Sequence, residues 1–119
     1  MAQSDSPWFE LISELLALTK ADQCEWSPTD TPDEFVVARR TATVSIFPKD
    51  HDGQFPFVLS LSTPEGQNVD AVEVTYGETR LEQNVRELYR MAREKALGTT
   101  DLVRDLLKEL REDATPGEI

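Results

Sequence analysis

The chain has 119 residues, a length that suits one domain and leaves no room for two comfortable ones. Its formal net charge of −11 argues against DNA, RNA and anionic lipid surfaces as partners, because such binding draws on cations that displace phosphate counterions. A single cysteine, Cys24, excludes a disulfide within the chain and fits a reducing compartment.

The charge is uneven. Residues 1–78 hold fourteen acids and four bases, a balance of −10, whereas residues 79–119 hold nine acids and eight bases, a balance of −1. A basic partner protein would therefore prefer the first part. The opening residues Met1 to Pro7 carry no basic group, and the apolar run Leu15 to Leu18 is bounded by Glu14 and Lys20. Neither reads as a leader or a membrane span, so the expected location is the cytoplasm, with no membrane partner.

Residues 1–5 read as a flexible start. Ser6 followed by Pro7 is a helix-entry signature, since the hydroxyl can cap free N–H groups and proline suits the first helical position. Trp8, Ile12, Leu15, Leu16 and Thr19 then recur at helical spacing over about four turns. From Asp22 to Glu34 the chain turns acidic, with Asp22, Glu25, Asp30, Asp33 and Glu34, two prolines and no base. This reads as a surface loop in which Trp26 either tucks onto the core or serves a partner.

Three or four strands are expected next, over Phe35–Ala38, Thr41–Ile46, Phe57–Ser62 and Val69–Tyr76. Arg39-Arg40, Lys49 to Gly53, and Thr63-Pro64-Glu65-Gly66 supply the turns between them. Such short connections favour an antiparallel meander. A change of phase between Ala71 and Val72 suggests a bulge. Leu81, Val85, Leu88, Tyr89, Ala92 and Ala96 then mark a long helix that stops at Gly98. Thr99 or Thr100 starts another helix, with Leu102, Val103, Leu106, Leu107 and Leu110 on its apolar face. The residues 113–119 read as a flexible tail.

The expected fold is therefore α+β, as one domain over 1–119: an N-terminal helix, an antiparallel meander of three to four strands, and two C-terminal helices packed on one sheet face. The expected core takes in Trp8, Ile12, Leu15, Leu16, Val44, Ile46, Phe57, Leu59, Leu61, Val74, Leu81, Val85, Leu88, Tyr89, Ala92, Leu102, Leu106, Leu107 and Leu110.

Reactive chemistry is sparse. The only histidine, His51, lies between Asp50 and Asp52 in a turn, too few ligands for a zinc or iron site. Asp50-His51-Asp52 is the one triplet on which an enzymatic reading could rest. Cys24 stands beside Glu25 and near Asp22, whose charges disfavour a reactive thiolate. The five glycines are scattered singly, so no phosphate-cradling loop is formed. No cofactor, metal or catalytic residue is expected.

Arg86, Arg90 and Arg93 share one helix face, which Arg80 extends, with Glu82–Arg86 and Arg90–Glu94 spaced as i, i+4 pairs. Together with Asp22, Glu25, Trp26, Asp30, Asp33 and Glu34 they form the candidate partner-binding set. Opposite charge on two regions of one chain would suit a homodimer. Trp8, Phe9, Leu18, Met91 and Leu97 are the candidates for an apolar contact.

The order of elements, with Trp26 in its polar segment and the stretch Leu88 to Gly98, resembles small stand-alone bacterial proteins. The resemblance implies a bacterial source and no particular activity. The leading expectation is a non-enzymatic protein–protein interaction module, such as an adaptor, chaperone or accessory subunit. The alternative is a neutralising inhibitor, such as a toxin-immunity protein or an acidic DNA mimic. An enzyme working through Asp50, His51 and Asp52 comes third.

Overall fold

A computed structural model describes residues 7–50, 52, 54–77 and 79–114. The elements run α1 (Pro7–Lys20), β1 (Trp26–Pro28), β2 (Phe35–Ala38), β3 (Thr43–Pro48), β4 (Phe57–Ser62), β5 (Asn68–Val74), α2 (Arg80–Leu97) and α3 (Thr99–Ala114). The expected flexible start and most of the expected flexible tail lie outside the described residues, but Asp113 and Ala114 still belong to α3.

The five strands form one antiparallel sheet in the order β1-β2-β3-β4-β5. This is the meander that the turns imply, with the strand count of three to four corrected to five. The extra strand is β1, inside the acidic segment read as a loop. Its register pairs Trp26 with Val37 and Pro28 with Phe35. A proline is tolerated there because an edge strand has one side with no ladder bonds to donate. Two residues make the tight bends around β1. Asp22 and Asp33 have φ of 63° and 67°, the left-handed region that aspartate enters more readily than most side chains.

The bulge is also displaced from its expected place. In the β4–β5 pair Leu61 faces Asp70 and Ser62 faces Asn68, which leaves Val69 as the extra residue. Val69 is accordingly exposed.

The alternation of each strand sends Phe35, Val37, Val44, Ile46, Phe57, Leu59 and Val74 to one face, where all are buried. Trp8, Leu61 and Leu81 pack against this core while keeping part of their surface in solvent. Two hydrogen bonds fix how α1 crosses the sheet face. The Trp8 indole N–H donates to Asp70 of β5 at 3.0 Å, and the Trp26 indole N–H of β1 donates to Thr19 Oγ1 at 3.0 Å. So α1 begins over one sheet edge and ends over the other. Its 14 residues span about 21 Å, close to the ~19 Å width of five strands. Helix α2 runs beside it in the same sense, with Asn84 donating to Ser13 and Lys95 reaching Asp22. Its start is fixed by Glu82, which accepts the Thr79 backbone N–H at 2.9 Å, and its end by Gly98 at φ 63°.

The placement of α3 departs from expectation. Leu102, Leu106, Leu107 and Leu110 do not enter the core: they are 64%, 53%, 44% and 54% exposed, and Val103 is 53% exposed. The reason is room. Six-residue strands offer about 20 Å along their length, which two helices at ~10 Å spacing fill. With α1 and α2 in place, the sheet face has no slot for a third helix. Of the two C-terminal helices only α2 packs there, and α3 projects from its end, in a molecule with extents of 71 × 35 × 28 Å.

Candidate interaction site

The α3 surface follows from its sequence. At 100° per residue, Val103, Leu106 and Leu110 form the middle of a stripe, with Leu102 on one side and Leu107 on the other. Asp105 and Glu109 stand three and seven residues beyond Leu102, so they border its side. Arg104 and Arg111 stand three before and four beyond Leu107, so they border the opposite side. The stripe thus has one acidic edge and one basic edge. Arg104 reaches Asp101 at 3.4 Å, a pair within the helix that joins two side chains 73% and 81% exposed.

The candidate residues of α2 lie in a different place. Arg86, Arg90 and Arg93 line an open cleft of about 730 Å³ with Tyr89, Phe57, Asp33 and Asp52. The Arg86 guanidinium stacks 5.4 Å from the Phe55 ring and 5.7 Å from the Tyr76 ring. Its expected helical neighbour Glu82 is turned to the Thr79 cap instead. Arg90 bonds Glu87 at 2.7 Å and Glu94 at 3.4 Å, the second being the expected i, i+4 pair. The Glu87 contact holds the Arg90 guanidinium above its ordinary range and the Glu87 carboxyl below its own. Arg93 is exposed.

The Tyr89 hydroxyl donates to the Asp33 carbonyl at 3.0 Å. Burial pushes the Tyr89 phenol up to about 12; the Asp33 charge adds to the shift and the Arg93 charge opposes it. The tyrosine therefore acts as a latch between α2 and the acidic segment.

The acidic candidates are divided among several surroundings. Asp22 bonds Lys95 at 2.9 Å, which holds its carboxyl below the usual range. Glu34 accepts from the Thr29 hydroxyl at 3.2 Å. Glu25 and Asp30 are not buried. Trp26 is only 5% exposed and belongs to the core. Asp33 faces the arginines of its own chain. The structure thus places Asp33 of the acidic segment and the three arginines of α2 around one cleft of the same molecule.

His51 lies outside the described residues, so the Asp50-His51-Asp52 triplet is placed only in part. Asp50 and Asp52 are exposed, and Asp52 accepts the Gln54 backbone N–H at 3.0 Å, an ordinary turn contact. Among the described residues no group of three or more His, Cys, Asp or Glu is placed to hold a metal ion. Cys24 is buried. No described helix is long and apolar enough to cross a membrane. No protein-family model, curated protein or solved structure matches this chain.

The residues that sequence reasoning missed as surface are those of the α3 stripe. It identified the face and assigned it to the core. The count of helices against the area of the sheet is the signal that separates the two outcomes.

Proposed function

We propose that this protein is a non-enzymatic protein–protein interaction module whose docking element is α3. One observation carries the reading: five large aliphatic side chains, Leu102, Val103, Leu106, Leu107 and Leu110, lie on one helix face and are each 44–64% exposed. Together they offer on the order of 400 Å² of apolar surface, which is as large as the biggest patch on a typical monomer. A helix with such a face is a common recognition element, read by its partner at i, i+3, i+4 and i+7. The acidic-mimic alternative has less support, because Asp22 is already paired with Lys95 of the same chain and Asp33 lines a cleft with Arg86, Arg90 and Arg93.

A photo-crosslinking residue at Leu106 tests the proposal in the host cell, with Lys108 on the polar side of α3 as the control. Adducts from position 106 in clear excess over position 108 are the expected result. Equal and low yield at both positions would show that nothing covers the stripe, and the proposal would fail.

A further inference from the structure

We propose that the occupant of the α3 stripe is a second copy of the same helix, lying parallel to it about a two-fold axis. This rests on α3 being the interaction element. Three observations select the occupant.

The first is the pattern of charge. When two helices meet face to face in parallel, a two-fold axis along them brings the left edge of one opposite the right edge of the other. In the antiparallel arrangement like edges meet. The edge with Asp105 and Glu109 would thus face the partner's Arg104 and Arg111 in a parallel pair, twice over. In an antiparallel pair acids would face acids and bases would face bases. A stripe with one acidic and one basic edge is therefore self-complementary in one orientation only.

The second is space. Leu102 and Val103 lie in the first turn, where α3 leaves the body, and they remain 64% and 53% exposed. The body does not overlie the stripe even at its base, so a partner helix can run its full length. Arg104 holds Asp101 across solvent at 3.4 Å, and so exposed a pair is readily exchanged for a carboxylate of the partner.

The third is area. Two stripes of ~400 Å² sum to on the order of 800 Å², and the stems of the flanking charged residues bring the total close to the ~1,000 Å² of a small specific interface. That size suits a reversible dimer rather than a permanent one.

The test is the solution mass of the full chain by sedimentation over a wide range of concentration, with two charge-edge variants. Wild type should move from 13.4 kDa towards twice that mass as concentration rises. Asp105→Arg with Glu109→Arg makes both edges basic, and Arg104→Glu with Arg111→Glu makes both acidic. Each variant alone should dissociate at least about tenfold more readily, and an equimolar mixture should regain the dimer. All four residues are exposed, so unchanged thermal unfolding of the body will show that each variant is folded. Orientation is read in a Cys24→Ala background. Val103→Cys and Leu110→Cys should each crosslink to its own copy under mild oxidation, because equivalent residues are opposed along the whole helix only in the parallel pair. Crosslinking that instead requires a mixture of Val103→Cys and Leu110→Cys chains would overturn the parallel arrangement. A monomer at every concentration would overturn self-pairing outright. If position 106 then crosslinks to a different protein, the interaction reading stands and only its partner changes; if it crosslinks to nothing, both fail.

Discussion

The bond between Thr19 and Trp26 is the sharpest test of how the chain turns from α1 into the sheet. Thr19 is fully buried, Trp26 is 5% exposed, and the indole N–H donates to Thr19 Oγ1 at 3.0 Å. Thr19→Val keeps the branched shape and replaces the hydroxyl with a methyl group. The indole N–H then stays buried with no acceptor, at a penalty of about 1–3 kcal/mol. The added methyl returns up to ~0.8 kcal/mol of apolar burial, which leaves a net loss of roughly 0.2–2.2 kcal/mol when that return is complete. In a domain near this size each 1 kcal/mol moves the thermal midpoint by roughly 4–8 °C. Urea unfolding followed by circular dichroism should show a lower midpoint with an unchanged slope. Trp26→Phe removes the donor itself, so Thr19→Val introduced into that background should lose about 1 kcal/mol less than it does in wild type. If Thr19→Val loses nothing in wild type, or loses as much in the Trp26→Phe background as with the tryptophan present, then this bond does not hold β1 to α1.

Two further outcomes follow from the α2 environment. Because the Tyr89 phenol is raised to about 12, the stability it contributes is complete below the unfolded value of about 10. That stability is lost as pH rises from there through the folded value. In a Tyr76→Phe variant the ultraviolet signal of tyrosinate belongs to Tyr89 alone, and a titration midpoint at or below about 10 in the folded protein would contradict the buried latch. Gly98 stands at φ 63° with nothing within 4 Å of where a Cβ would lie. Gly98→Ala should therefore lose about 1 kcal/mol from backbone strain alone; a urea midpoint equal to wild type would refute the left-handed cap.

Much of the fold was legible because it depends on local signals that tertiary structure did not override. The alternation in Phe57, Leu59 and Leu61 set their shared face, and Gly98 ended α2 where a residue at positive φ was needed. What failed were features that depend on the neighbour rather than on the segment. Trp26-Ser27-Pro28 has too few residues to show a period of two, and it becomes a strand only because β2 offers it an open edge. Val69 carries the bulge because Leu61 and Ser62 face Asp70 and Asn68 across the pair, information that β5 does not hold by itself. The same limit explains the charged candidates. Helical spacing placed Arg86, Arg90 and Arg93 on one face, but only the fold put Asp33 and Asp52 across from them.

The contrast between α2 and α3 carries this furthest. Both have an aliphatic stripe at helical spacing, and neither stripe states what will cover it. Val85, Leu88 and Ala92 are wholly buried, whereas every member of the α3 stripe keeps at least 44% of its surface in solvent. The difference lies in the capacity of the sheet. Two helices that cross five strands exhaust the one face they share, so an amphipathic helix added beyond them has its apolar side left over. In a fold of this kind the surplus helix is where an interface should be sought. The distribution of charge along its two edges then becomes the most informative feature of the sequence, because the stripe itself would accept any apolar partner. In α3 that distribution is acidic on one side and basic on the other, and it is the edges, more than the leucines, that specify what the helix can pair with.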